Sequence, residues 1–172
     1  MNKKIFNLIN KNKLKIVSES IEKAHGLPNE CYLSGPYNNL ERKKIFEDKW
    51  VVIGVASSVP NPGDTLPFNL LGIPLVIIRD KKNNIRVFHN VCSHRGYKLV
   101  NEKCSSKNVL RCPYHSWSYD FEGNLVATPH LGGINKHEHK KFDKSKNGLK
   151  EVRSAIWLDL IIVNISNNAI SF

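Results

Sequence analysis

No apolar run in this 172-residue sequence approaches the roughly eighteen residues that would cross a bilayer as a helix. A membrane partner is therefore not expected. The basic N-terminus, "MNKKIFNLIN", has a short apolar stretch broken by Asn7 and Asn10, and no small-residue cleavage site follows it, so a secretory signal is not expected and the cytoplasm is the expected location. Cysteine is scarce: Cys31, Cys92, Cys104 and Cys112 are the whole complement. In a reducing compartment that number argues against a disulfide framework and for thiolates that bind metal or thiols that stay buried. Internal repeats and low-complexity linkers are missing too, and a chain of this length buries a real core as one domain. Acidic residues are few, 15 against 26 Lys and Arg, for a net charge of +11. Yet the lysines are scattered among Asn and Ile, without an aromatic-interleaved basic stripe, so nucleic acid is not the expected partner. An acidic protein, such as a redox donor, would exploit the same charge.

What is present divides near Trp50. Before it, Ile5, Leu8, Ile9, Ile16, Ile21 and Ala24 alternate with Lys, Asn and Glu in a pattern that suits one or two short amphipathic helices. "GLPNECYLSGPYNN" interrupts that pattern, and "LERKKIFEDKW" resumes a helical spacing through Leu40, Ile45 and Phe46. After it, "WVVIGVAS", "LPFNL", "IPLVIIRD" and "NNIRVFHN" are strand-like, separated by the turn signals "LG", "KKNN" and "EGN". That rhythm predicts an antiparallel sandwich or small barrel. "SAIWLDLIIVNIS" supplies a late pair of strands. The expected organisation is a helical segment over residues 1–47 and a mainly β body over 48–172.

The chemistry concentrates in two fragments of that β body. "NVCSHRG" and "CPYHSW" give Cys92-x-His94, seventeen intervening residues, then Cys112-x-x-His115. Two thiolates and two imidazoles suit either tetrahedral zinc or an iron–sulfur cluster. A two-Cys, two-His zinc finger groups its ligands as a cysteine pair and then a histidine pair on a helix. Here each fragment brings one of each, as a two-iron cluster with asymmetric ligation requires: both cysteines on an inner iron, both histidines on an outer one.

The two fragments resemble the Rieske [2Fe–2S] motif in the version found in α-subunits of ring-hydroxylating oxygenases. The "NV" before Cys92, the "RG" after His94, "CPYH", Trp117, Tyr119 and the "EGNL" hairpin all match. The likeness runs from about residue 27 to 168. "LERKKIFEDKWVVIGVASSVPNPGDT" is similar to the family's leading helix and first strand, and "NGLKEVRSAIWLDLIIVNIS" to its closing strands. The resemblance implies a mainly β, Rieske-type antiparallel β-sandwich with two cluster-binding loops, preceded by short α-helices. It implies one [2Fe–2S] cluster on Cys92, His94, Cys112 and His115, and an electron-relaying role. A reductase or ferredoxin would be the donor, and a mononuclear iron in an oxygenase catalytic domain or subunit the acceptor. The family's catalytic part is expected to lie outside this chain, so no catalytic residue is assigned within it. A self-standing ferredoxin-like carrier is the alternative, although small carriers of that kind usually begin directly with strands.

Other residues have blander expectations. His130, His137 and His139 sit in a Lys- and Gly-rich stretch without a helix to hold them rigidly, and are not expected to bind catalytic iron. His89 is expected to pack, Arg95 to anchor its loop to a carboxylate, with contact to a partner as the alternative, and Cys104 to be a free thiol at a loop tip. Ser116 stands where many family members have glycine. Respiratory Rieske proteins, which this sequence resembles in its ligands, carry a cysteine pair bridging the loops and a serine two residues after the second histidine; here Tyr97, Tyr114 and Trp117 take those places. Without the bridge and that hydroxyl donor, the reconstituted protein should titrate at the lower end of the roughly −150 to +300 mV Rieske range. A strongly positive midpoint in a redox titration would overturn this expectation.

Overall fold

The computed structural model describes residues 11–172. Three short helices come first: α1 (Lys11–Lys15), α2 (Glu30–Leu33) and α3 (Gly35–Glu41), the last running into a π-helical turn, Arg42–Glu47. Part of the helical reading of the first 25 residues lies outside the described residues. Within them, α1 and a 3-10 turn end at Ser18, and the chain then runs irregularly to α2. Ile21, counted on the apolar face of a helix, is 91% exposed in a turn. A helix there would have no apolar surface to pack on, and Gly26 and Pro28 follow closely. Ser34 caps α3, its hydroxyl accepting from the Tyr37 N–H, with Pro36 in the first turn where no backbone donor is needed.

Ten strands follow, and every pairing between them is antiparallel. They are β1 (Val51–Val55), β2 (Asp64–Leu70), β3 (Ile73–Arg79), β4 (Ile85–His89), β5 (Cys104–Ser105), β6 (Leu110–Arg111), β7 (Ser118–Tyr119), β8 (Leu125–Ala127), β9 (Arg153–Trp157) and β10 (Leu160–Asn164). They form three sheets, ordered β1-β10-β9, β4-β3-β2-β5 and β6-β7-β8. The four-stranded sheet is the middle layer. Side chains alternate faces along a strand, so the fully buried run Leu75, Val76, Ile77, Ile78 of β3 serves two cores. Leu75 and Ile77 pack with Ile53, Val59, Val87, Ile161 and Val163 on one side. Val76 and Ile78 pack with Phe88, Cys92, Cys112, Trp117 and Tyr119 on the other. The sandwich anticipated from the turn rhythm is thus present, with the candidate cysteines set in the wall of its second core.

Pro67 of β2 is tolerated because β5 pairs with β2 only at Asp64 and Thr65, leaving the far end of that edge open. Leu71 and Gly72, the predicted "LG" turn, link β2 to β3 with positive φ at both residues.

Two hairpins are built alike. Between β3 and β4, Asp80 Oδ1 accepts from the N–H groups of Lys82 and Asn84, and Asn84 Nδ2 donates to Asp80 Oδ2. Between β7 and β8, Asp120 holds Glu122 and Asn124 in the same way. The residue before each asparagine, Asn83 or Gly123, has positive φ. Gly123 is needed twice over, since a Cβ there would lie 2.5 Å from the Phe88 ring. This close approach locks the β7–β8 hairpin onto the middle sheet.

The two aspartates differ in burial. Asp80 is buried and also receives Arg86 Nε at 3.1 Å. Burial pushes its carboxyl up, but the Asn84 N–H, the Arg86 guanidinium and the Lys82 N–H outweigh that, leaving it below the usual carboxylate range. A depressed folded value means that Asp80 stabilises fully above the ordinary carboxyl value of about 3.9, and that this contribution fades as pH falls through the lowered one. Asp80→Ala should cost about 3 kcal/mol at neutral pH and Asp120→Ala about 1 kcal/mol, in denaturant titrations. Equal losses would show that burial and Arg86 add nothing at Asp80.

Candidate metal centre

The four candidate ligands lie on two six-residue loops with one backbone design. In the first, Cys92 N–H donates to Tyr97 O at 2.8 Å and Gly96 N–H to Cys92 O at 2.9 Å. In the second, Cys112 N–H donates to Trp117 O at 2.8 Å and Ser116 N–H to Cys112 O at 2.9 Å. Each loop closes on its own cysteine, and closure requires positive φ at the fifth residue: +70° at Gly96 and +59° at Ser116. Glycine meets that requirement freely, whereas serine pays a conformational cost on the order of 1 kcal/mol. The loop does accept Ser116, as expected, and the geometry supplies the reason glycine suits the position.

Each loop carries its cysteine inward and its histidine outward. Cys92 and Cys112 are 2% and 1% exposed, set among Val76, Ile78, Leu99 and Leu125. His94 is half-buried and His115 exposed. Their rings lie 4.9 Å apart between centroids. Burial pushes the Cys112 thiol up and the neighbouring Cys92 adds to it, while the N–H groups of Tyr114 and His115 act the other way. Burial, His115 and Arg95 together lower the pKa of His94, favouring the neutral imidazole that a metal binds. Among the described residues, no three His, Cys, Asp or Glu side chains converge as on a single ion. The grouping is two and two, thiols below and imidazoles above, which fits a two-iron cluster better than a mononuclear ion.

Aromatic rings fix both imidazoles. Trp117 stacks on His94, with centroids 4.5 Å apart and an interplanar angle of 11°, and its other contact is the Phe142 ring at 5.5 Å. Tyr114 lies 3.7 Å from His115 and 5.5 Å from Tyr97 on the opposite loop. The residues expected in place of a covalent bridge therefore touch across the gap.

Sequence reasoning overlooked three polar supports. Tyr119 Oη lies 3.1 Å from Cys92 Sγ, 2.9 Å from Ser93 Oγ, and accepts from Ser93 N–H at 3.1 Å. Burial first, and then Cys92, raises its pKa well above the ordinary phenol value, so the proton stays on the oxygen. Ser93 Oγ donates to Asn147 O at 2.6 Å and can only accept from Tyr119. Asn90, fully buried, takes the N–H groups of Leu99 and Val100 on Oδ1 and donates to Val100 O, tying the base of the first loop. The asparagine of "NV" carried that signal, though only the fold reveals its partners.

The remaining expectations fare unevenly. Arg95 is exposed and has no carboxylate partner among the described residues. Cys104 is free and exposed but lies in β5 rather than at a loop tip, its sulfur 3.0 Å from Thr65 Oγ1, because residues 104 and 105 extend the middle sheet. His89 is partly buried in β4, its N–H bonded to Lys150 O. His130, His137 and His139 each accept a backbone N–H on Nδ1, from Asn135, His130 and Lys141 respectively.

A profile of the Rieske [2Fe–2S] domain matches residues 49–138, which contain both loops. The chain belongs to the Rieske [2Fe–2S] family. This Rieske chain is 31% identical over 154 residues to the 2-aminobenzenesulfonate 2,3-dioxygenase subunit alpha of an Alcaligenes species, covering 89% of this chain and 38% of that one. It is 29% identical over 142 residues to the carnitine monooxygenase oxygenase subunit of Acinetobacter baumannii, covering 83% and 37%. Among solved structures, a quaternary ammonium Rieske monooxygenase with bound L-carnitine superposes with a TM-score of 0.77 at 28% identity, over 86% of this chain and 41% of that one. Naphthalene 1,2-dioxygenase from a Rhodococcus species gives 0.81 at 25% identity, over 99% and 37%. The chain thus spans about two-fifths of the length of these relatives. The family carries one Rieske-type [2Fe–2S] cluster. The buried thiol pair and outward imidazole pair fit it.

If Asn90 holds the first Rieske loop as described, Asn90→Ala should cost roughly 2–4 kcal/mol, because two buried N–H groups and one carbonyl lose their partner. A loss below about 1 kcal/mol in thermal or denaturant unfolding would contradict that role.

Proposed function

We propose that this chain is the electron-relaying Rieske domain of an oxygenase of the aromatic-ring-hydroxylating type, with residues 48–172 as the cluster-bearing unit and 1–47 as an N-terminal segment preceding it. Cys92, Cys112, His94 and His115 would hold the cluster, the two thiols from the buried side and the two imidazoles from the outward side. The observation that carries the reading is the twin loops, which bury two thiols side by side and hold two imidazoles above them. When bound, the cluster supplies a one-electron couple. A reductase or ferredoxin is the donor, and the acceptor is a mononuclear iron in an oxygenase catalytic domain or subunit.

The chain's own residues prepare that task. The loop hydrogen bonds fix both cysteines, so little rearranges when the charge changes. Trp117 and Tyr114 hold the imidazole planes. Tyr119 has a single proton to give, with Cys92 Sγ and Ser93 Oγ as the competing acceptors. A thiolate draws it more strongly than a hydroxyl, so Tyr119 donates to Cys92 and steadies negative charge on the sulfur.

Two measurements test this reading. Reconstituted protein should hold iron and acid-labile sulfide in equal amounts, with the visible and EPR spectra of a histidine-ligated two-iron cluster; a colourless protein with one zinc would sink the proposal. Tyr119→Phe should keep the cluster and lower its midpoint on the order of 50 mV, equivalent to about 1 kcal/mol for one electron.

A further inference from the structure

The segment between Thr128 and Asn147 forms a lobe beside the first loop that the cluster reading leaves unexplained. Thr128 Oγ1 donates to His137 O, Gly132 N–H to Lys136 O, and Ser93 Oγ to Asn147 O, so the lobe is tied to itself and to the loop that carries Cys92 and His94. Phe142, half-buried, touches Trp117 edge-on, and Trp117 lies flat on His94. A cleft of about 290 Å³ opens over Phe142, lined also by Leu131, Glu138, His139, Asp143 and Lys144. Two ring contacts thus connect a solvent-open cleft to one candidate ligand.

The cleft itself carries both signs, but the unpaired charge of the lobe is one-sided. Both acids of the lobe are engaged, Glu138 by Lys144 at 3.0 Å and Asp143 by Lys146 at 3.6 Å. Lys136, Lys140 and Lys141 are exposed and have no carboxylate partner among the described residues. Ile134, 88% exposed, stands two residues before Lys136. An apolar tip with a cationic rim beside an aromatic path is the complement of an acidic protein surface around a redox group.

Resting on the electron-relay reading, we propose that the 128–147 lobe is the docking surface for an acidic electron-donor protein, whose electron enters by way of Phe142, Trp117 and His94. In that step one electron leaves the donor's reduced group, which is oxidised by one unit, and the oxidised cluster is reduced by one. No bond breaks and no proton moves. The exposed Tyr97, Tyr114 and His115, which no ring contact ties to the lobe among the described residues, are left for the acceptor.

The test uses the full reconstituted chain and, as probe, an acidic plant-type [2Fe–2S] ferredoxin. The triple variant Lys136→Glu, Lys140→Glu, Lys141→Glu should raise the probe's Kd at least about tenfold at low salt and flatten its salt dependence. Its visible spectrum and its reduction by dithionite should match the parent. Reversing Lys15, Lys23 and Lys43 on the N-terminal segment should leave most of the affinity. Unchanged probe binding by the lobe variant overturns the proposal, as does an equal loss from the N-terminal variant, which would make the attraction one of net charge alone. Displacement of the probe from the lobe by equimolar duplex DNA would also overturn it, in favour of nucleic acid. Because binding is read separately from the spectrum, a protein lacking the Rieske signature would refute the electron relay without deciding where the probe docks.

Discussion

Two short loops bring soft ligands to one place here because the pair of hydrogen bonds that folds each loop onto its own cysteine fixes the backbone that carries them. The cysteine N–H meets the carbonyl five residues on, and its carbonyl meets the N–H four residues on. The turn is possible because residue 96 or 116 adopts positive φ. Everything else at the centre serves those two turns: Asn90 ties down the base of one, Trp117 links the second loop to the ring of the first, and the apolar wall of β3 keeps water from the sulfurs.

The middle sheet explains how a small chain supports such a site. Because β3 is buried on both faces, the layer that closes one core also floors the other. The chain's first and last long strands pair, β1 with β10, and seal the core away from the loops. The β7–β8 hairpin is pinned to that floor by the fit of Gly123 against Phe88. The second loop, which leads directly into β7, inherits its position from that contact.

Local chemistry made much of this legible in advance. The turn dipeptide Leu71-Gly72 and the Asp80 and Asp120 hairpins follow from residues that accept positive φ or hold their own backbone. The strand-like apolar run in "IPLVIIRD" marked β3 as a strand, and the Cys-His spacing fixed the candidate ligands before any coordinates. What stayed hidden was non-local. Nothing near Asn90 announces Leu99 and Val100 as its partners, nor anything near Tyr119 the sulfur of Cys92. Arg95 drew attention by its place in the motif, but it forms no ion pair among the described residues. Ile21 fitted a helical period, yet no neighbouring surface was there to receive it.

The contact between Tyr97 and Tyr114 bears on how such a protein can be made and used. A covalent link between the loop tips would need an oxidising step to form, and the reductants that deliver electrons could sever it. Two tyrosine rings meeting 5.5 Å apart need neither oxidant nor isomerase. Such a clasp can form where thiols are kept reduced, and a reductant finds no bond in it to break.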